Sequence, residues 1–293
     1  MPTVPVFDPD IAFSRNIGWL TPEEQSLLAR RKVAIAGLGG VGGSHLLTLT
    51  RLGIGRFSIA DLDRFELANF NRQAGASLKS IGRDKVDVLR EAALEINPTL
   101  EITAFPSGVD AGNVDRFLQG ADVYVDGLDY FAVEARRLVF AACAERGIPA
   151  VTAAPLGTGA AVINFIPGKM TFEEYFRLDG FSEREQLVRF LLGLSPTMPQ
   201  RGYLVFPEAV DFARHKGPST PMACEICAGV AATQVLKILA GRGRVLAAPW
   251  GQQFDPFRNL YRKTWRPWGN RNPLQRIGIR IAMNQIERMG TGR

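Results

Sequence analysis

Near the start of the chain, Gly37-Leu38-Gly39-Gly40-Val41-Gly42-Gly43 is a run in which backbone rather than side chains could do the chemistry. Gly37, Gly39 and Gly42 keep the G-x-G-x-x-G interval between a β-branched run and an apolar-periodic segment, the context in which glycines let a phosphate approach the main chain. The helix that follows would offer that phosphate free N–H groups and the positive end of its dipole. Asp61 closes the next strand, about where a ribose-binding acid belongs. On these residues alone a dinucleotide such as NAD is the default ligand. The bland alternative is that the glycines serve only tight strand-to-helix packing.

The stretch beyond Asp61 argues against a nicotinamide site. It runs Asp61-Leu62-Asp63, then Asn69-Phe70-Asn71-Arg72-Gln73, with Lys85 farther along on a helix. Hydride transfer needs an open face and hydrogen bonds to a ribose, not a fixed Arg and Lys beside the glycine loop. A triphosphate needs both: Arg72 offers a planar fork and Lys85 a point charge for β- and γ-phosphate oxygens. Asp126 and Asp129, in Val123-Tyr124-Val125-Asp126-Gly127-Leu128-Asp129-Tyr130, end another strand at the sheet edge where ligands of open α/β folds bind. A carboxylate there can hold Mg²⁺, which takes one or two carboxylates together with substrate phosphates. Each charge taken singly would be an ordinary surface ion pair.

The elements that must position these groups alternate between short β-branched runs and helical periods, the mark of βαβ units. Strands are expected at Lys32–Ala36, Arg56–Ala60, Leu100–Phe105, Asp122–Asp126 and Ala150–Ala153, with helices at Gly42–Leu52, Arg83–Ile96 and Val133–Arg146. The fold class is α/β, a doubly wound Rossmann-like sheet, parallel in the first half with antiparallel strands added in the second. Ala160–Ile166 is the first antiparallel strand. Then come a charged helix at Ser182–Leu192, an apolar helix at Cys224–Leu239 stopped by Gly241, strands near Val245–Ala248 and Leu260–Trp265, and a helix at Leu274–Met289. This divides the chain into an N-terminal arm (1–30), a Rossmann-like nucleotide-binding core (31–168), a crossover or substrate region (169–223), the remainder of the same domain (224–268) and a basic C-terminal helix (269–293).

Composition narrows the class. The 293 residues are 46% hydrophobic and 22% charged, proportions that exclude a disordered chain and suffice for a core without disulfides. Three cysteines, no run of eighteen apolar residues and no signal-like start point to a cytoplasmic protein with no transmembrane segment. The net charge of +6 is uneven: residues 256–293 hold nine Lys/Arg against one acid, Glu287, whereas the first 255 carry 26 basic and 28 acidic residues. Such a tail suits an acidic partner (protein, RNA or lipid headgroups) or is simply a solvated surface.

At the glycine loop, DLD, NFNRQ, Lys85 and DGLD, the sequence resembles the ThiF/MoeB group of E1-like, ubiquitin-activating-type adenylyltransferases, collinear from Ser14-Arg15-Asn16 to Gly159–Ile166 and again at Ala228–Leu239 and Asp255–Arg266. The resemblance implies binding of ATP and Mg²⁺ and activation of a C-terminal carboxylate, usually on a ubiquitin-like sulfur carrier ending in Gly-Gly, as an acyl-adenylate. It implies that Gly40 and its neighbours line the nucleotide, Asp61 holds the ribose with Asp63 close by, Asn69, Arg72 and Lys85 contact phosphates, and Asp129 carries the magnesium. Arg15 matches an arginine that reaches the triphosphate of the other subunit in a homodimer.

The pattern also departs from the family's. No cysteine lies between Met170 and Ala223, where many members place one for thioester or persulfide chemistry. Cys224-Glu225-Ile226-Cys227 is a single C-x-x-C pair, half of a tetrahedral site, so an intrachain zinc is not expected unless His215 or a dimer mate adds ligands. Opening a helix, these cysteines are either reactive thiols or small buried residues on one helical face, and the second is favoured. Cys143 belongs to the core. His45 either reaches a phosphate or packs a helix, the commoner role. The aromatics Trp250, Phe254, Phe257, Tyr261, Trp265 and Trp268 interleave with arginines, as nucleic-acid surfaces do, but strand pairing explains them and nucleic acid is not favoured. The rivals of an adenylyltransferase acting on a carrier or peptide C-terminus are a tRNA-modifying dehydratase of the same superfamily, an NAD-dependent oxidoreductase and a non-catalytic nucleotide-binding scaffold.

Overall fold

The computed structural model describes residues 6–211 and 214–290, with the side chains of 287–290 excepted, so Arg293 and the side chains of Glu287 and Arg288 in the basic tail lie outside the described residues. Among these residues eight strands form one mixed sheet: β1 Lys32–Ala36, β2 Arg56–Ala60, β3 Glu101–Phe105, β4 Val123–Asp126, β5 Ala150–Leu156, β6 Gly159–Phe165, β7 Trp250–Asp255 and β8 Leu260–Trp265. Their order is β3-β2-β1-β4-β5-β6-β7-β8. Pairing is parallel from β3 to β5 and antiparallel from β5 to β8. The chain therefore winds outward from β1 to β3 and returns to β4 on the other side of β1. That reversal opens a crevice at the carboxyl ends of β1 and β4.

Among the described residues ten helices accompany the sheet: α1 Pro9–Ala12, α2 Pro22–Arg30, α3 Gly42–Leu52, α4 Lys85–Ile96, α5 Val114–Leu118, α6 Val133–Glu145, α7 Phe172–Phe176, α8 Glu183–Leu194, α9 Pro221–Ala240 and α10 Pro273–Gly290. Strand alternation sorts the core into two. Val33 and Ile35 of β1 point into one cluster with Leu46, Leu49, Leu89 and Val235 of α3, α4 and α9. Ala34 and Ala36 point into the other, with Phe117, Phe140, Phe172 and Phe190 of α5 to α8. α3 ends where Gly53 takes a positive φ of 95°, a turn that favours a residue without Cβ. α9 is long and apolar enough to cross a membrane by length and composition, but half of it is buried and it packs along β5 and β6.

Three departures from the sequence expectation have a local physical cause. No strand forms at Val245–Ala248: only Ala247 makes an isolated bridge, to Asn164, while the Asn164 side chain takes the Leu246 carbonyl and Pro249 has no N–H to give a ladder. The strand in this region is β7, five residues later. α9 begins at Pro221 rather than Cys224, because Thr220 caps it and Pro221 occupies its first turn, where a missing N–H costs nothing. α4 begins at Lys85 rather than Arg83, and the Lys85 N–H is spent on the Asp63 carbonyl.

His45 lies in the first turn of α3, 1% exposed, and neither ring nitrogen has a hydrogen-bond partner among the described residues. Burial holds its imidazole down to about 4, against a weak opposing pull from Asp126. Below about pH 6.5 the unfolded chain protonates this ring and the native chain does not, so stability present above that pH is lost as the pH falls through 4, by roughly 3 kcal/mol. His45→Leu removes the contribution, and its unfolding temperature should fall less than the wild type's between about pH 7 and about pH 4.5. Equal slopes in the two thermal unfolding series would show that the ring is not held neutral.

Candidate functional site

β1 and β4 are each followed directly by a glycine, and the two glycines touch. A Cβ on Gly37 would lie 2.3 Å from the Gly127 carbonyl oxygen, one on Gly127 would lie 2.3 Å from that of Gly37, and one on Gly42 would lie 1.8 Å from the Gly37 oxygen. Gly37, whose φ is +81°, also donates its N–H to the Ala60 carbonyl at 2.7 Å. These glycines close the backbone. Gly39 and Gly40 differ, since only side chains face them: Gln73 Nε2 at 3.6 Å from a Cβ position on Gly39, and Cys224 Sγ at 3.3 Å and Arg72 Nε at 3.6 Å from one on Gly40. Behind this face α3 begins at Gly42 with no side-chain cap on its first turn, leaving N–H groups and the positive dipole end directed at the loop.

The charged residues gather on both sides of the loop. Asp61, at the end of β2, accepts the Leu38 N–H on Oδ2 at 2.6 Å and the Asp63 N–H on Oδ1 at 2.8 Å. Burial pushes its carboxyl up, and the two backbone bonds pull it back. Lys85 is buried at the start of α4 and donates from Nζ to the exposed Asp63 carboxylate at 2.9 Å. Arg72 places Nη1 on the Ala68 carbonyl at 3.1 Å and Asn71 Oδ1 at 2.9 Å, which fixes the guanidinium with Nε toward Gly40. The Asn69 side chain closes its own turn, accepting the Glu66 N–H at 2.9 Å, while Asn71 reaches the Ser219 carbonyl at 3.0 Å ahead of α9.

Asp126 and Asp129 part company. Asp126 is buried and committed: Oδ2 accepts from Arg136 Nε at 2.8 Å and from Thr152 Oγ1 at 2.9 Å, and Oδ1 from the Leu128 N–H at 3.2 Å. It is a structural anchor, and the expectation of a free metal-binding carboxylate at this position is corrected. Arg136 Nη2 also holds the Leu128 and Asp129 carbonyls at 2.7 and 3.0 Å, so the pair fixes the loop from which Asp129 projects. Asp129 is exposed, its Oδ1 accepting only the Phe131 N–H at 3.0 Å.

Arg15 is not brought to this loop. It lies exposed in the turn Ser14–Asn16, and Asn16 ties that turn to the Leu52 carbonyl at 3.3 Å, at the C-terminal end of α3. Eleven helical residues, about 16 Å of α3, separate that end from the glycines. The two cysteines of α9 are fully buried, and burial pushes both thiols up, so they pack as small residues on one helical face and are not exposed, activated thiols. The crossover roofs the carboxyl edge of the sheet: Thr197 Oγ1 donates to Gln253 at 2.7 Å, the Tyr203 hydroxyl to Asp255 at 3.1 Å, Thr220 to the Gly157 carbonyl at 2.7 Å, and His215 stacks on Phe131 at 4.7 Å. Of the C-terminal aromatics, Trp250 faces Trp265 and Phe254 faces Tyr261 across the β7–β8 ladder.

Sequence reasoning missed two residues. Arg136 was invisible as a site residue because its partner is ten residues away on another element. Gln73 lies inside the NFNRQ run with its Nε2 facing Gly39, and its buried Oε1 has no partner among the described residues. An uncapped helix start, a fixed guanidinium and the Gln73 Nε2 donor facing Gly39 fit an anionic phosphate chain. Among the described residues no three His, Cys, Asp or Glu side chains gather as a metal cluster. A magnesium ion held by one carboxylate and substrate phosphates needs none.

Comparison with known proteins sets these features in a family. The curated tRNA threonylcarbamoyladenosine dehydratase of Bacillus subtilis (strain 168) is 31% identical over 141 residues, 48% of this chain and 55% of that protein. The sulfur carrier protein ThiS adenylyltransferase of Escherichia coli (strain K12) is 31% identical over 143 residues, 49% and 56%. The chain spans about half the length of these curated relatives. The crystal structure of E. coli MccB with ATP shares the fold, with a TM-score of 0.66 at 20% identity over 87% of this chain and 71% of that one. Residues 13–276, which take in the glycine loop, Arg72, Lys85 and Asp129, match the ThiF family, and the chain belongs to it.

Proposed function

We propose that this chain is an ATP-dependent adenylyltransferase that activates a C-terminal carboxylate, on a ubiquitin-like sulfur carrier or a peptide, as an acyl-adenylate with release of pyrophosphate. The observation that carries this reading is the Arg72 guanidinium held over Gly40 at the uncapped start of α3, a backbone-and-arginine cradle with Lys85 beyond it. A nicotinamide dinucleotide brings only a diphosphate, which a glycine loop and a helix start hold without an added arginine and lysine. The names of the two curated relatives support activation chemistry of this kind but differ in substrate.

In the reaction a carboxylate oxygen attacks the α-phosphorus of ATP. A new O–P bond forms, the bond from that phosphorus to the α,β-bridging oxygen breaks, and pyrophosphate leaves with the electron pair. Covalent help is not required, so the protein's work is positioning and charge neutralisation. Gly39, Gly40 and the start of α3 would bind phosphate oxygens, Asp61 the ribose, and Arg72 and Lys85 the charge that builds on the departing pyrophosphate. Asn69 would line the same side, with Asp63 holding the Lys85 ammonium in place. Asp129 would hold Mg²⁺, which when bound neutralises phosphate charge. Arg15, distant from its own loop, would serve a second copy in a homodimer, where an arginine supplied in trans contributes roughly 10³-fold or more in known phosphoryl transfers. With no cysteine between Met170 and Ala223, the adenylate would pass directly to a small nucleophile such as an amine or sulfide. Three free cysteines fit a cytoplasmic setting. The dehydratase relative and the basic C-terminal region support a second reading, in which a modified tRNA base supplies the activated group.

Pyrophosphate release from ATP, measured with carriers or peptides ending in Gly-Gly and separately with tRNA, tests the reading. Asp129→Asn and Arg72→Ala should each lower substrate-dependent release by roughly 10²- to 10³-fold while the fold remains intact by circular dichroism. Release that is unchanged in both variants would refute it. In mixed dimers, Arg15→Ala chains combined with Asp129→Asn chains should regain about a quarter of wild-type activity, because a random mixture is half heterodimer with one complete site each. No recovery on mixing would mean that Arg15 does not act across subunits.

A further inference from the structure

α10 packs one face on the crossover, and no described residue covers the other. On the inner face Gln275 donates to the Leu192 carbonyl and Ile279 is 4% exposed. Just ahead of the helix Asn270 is buried and donates to the Phe176 and Arg189 carbonyls at 2.7 and 3.0 Å. The seat on α7 and α8 is therefore specific, and it fixes which residues face outward. Those include Leu274, Ile277 and Ile281, exposed by 71%, 57% and 50%. At a 3.6-residue period these positions fall within about 60° of one another.

Arginines border this stripe. Arg276 and Arg280, one turn apart, are exposed on one flank, Arg271 is exposed before the helix starts, and Trp268 is exposed ahead of it. Between residues 256 and 286 there are seven Lys/Arg and no acidic residue. Nothing in the adenylation chemistry uses this surface, which is built on the crossover and away from the glycine loop.

We propose that the outer face of α10, with Trp268, docks on an anionic lipid surface. Charge complementarity and side-chain type both select this occupant. An interfacial helix needs aliphatic residues to enter the acyl boundary and cations to meet the headgroups, and this helix presents both away from its packed side, with the exposed indole of Trp268 just ahead of it. An RNA would use the arginines but leave three large aliphatic side chains against water. The helix would lie in the plane of the interface, with its buried face still seated on α8 and the remainder of the domain in water.

Flotation of the full chain with large vesicles tests this, using phosphatidylcholine alone and phosphatidylcholine mixed with phosphatidylglycerol. The protein should float with the anionic vesicles and not with the neutral ones. Each arginine near an anionic surface is worth roughly fivefold in partitioning, so Arg276→Glu with Arg280→Glu should lower binding by roughly 25-fold or more. Ile277→Asn with Ile281→Asn should lower it by roughly tenfold with the unfolding temperature unchanged. Failure to float with anionic vesicles at low salt would overturn the proposal. So would flotation that survives both double variants, tRNA binding lost in the arginine variant without any vesicle binding, or sedimentation showing that the isoleucine variant turns a dimer into a monomer.

Discussion

Two loops at the carboxyl ends of β1 and β4 meet backbone to backbone at Gly37 and Gly127, and the site depends on that approach. With no Cβ on either residue the strands stay in register up to their last positions, and Gly42 can begin α3 directly above the Gly37 carbonyl. Any side chain at these three positions would push main chain against main chain, where no rotamer change relieves the clash. The uncapped start of the helix is thereby held at the switch point of the sheet, open to an anion on the side of Gly39 and Gly40.

A second interaction secures the other half of the crevice. Asp126 and Arg136 are both almost wholly buried, and such a pair survives only when further hydrogen bonds satisfy the remaining lone pairs and protons. Here Thr152, the Leu128 N–H and the carbonyls of Leu128 and Asp129 do so, while the guanidinium lies over the Phe190 ring at 4.6 Å. The consequence is a division of labour between two carboxylates three residues apart. One is spent on holding the loop, which leaves the other exposed at its tip.

The first half of the fold was legible because glycines and proline punctuate strong periodic signals: β1, β2 and α3 stand at the residues that the pattern marks. β7 was not legible. Its sequence, Trp-Gly-Gln-Gln-Phe-Asp, has no apolar alternation, because its buried side is made by Gln253 and Asp255 bonded to Thr197 and Tyr203 of the crossover. Hydrophobic pattern cannot report a strand whose inner face is polar and satisfied by a distant segment. The apolar Val245–Ala248 run attracted the assignment instead, though its backbone partners are largely absent.

At the site, charge and spacing marked Arg72, Lys85 and the two aspartates, since a glycine loop flanked by fixed cations has few other uses. What spacing could not tell was which aspartate is free, that Lys85 rests on Asp63, or that Arg15 sits at the far end of α3. Those depend on which side chain each residue meets after folding. The fold thus turns a list of charged positions into two groups, one that builds the loops and one that faces the crevice.

Thermal unfolding with Mg-ATP and, separately, with NAD, on the wild type and on Arg72→Ala, tests the central claim most directly. At about one hundred times its Kd a ligand stabilises by roughly 2.7 kcal/mol, a rise of several degrees in Tm for a chain of this size. The triphosphate site predicts that rise with Mg-ATP in the wild type and its loss in Arg72→Ala. Stabilisation by NAD alone, or a full Mg-ATP shift in Arg72→Ala, would contradict it.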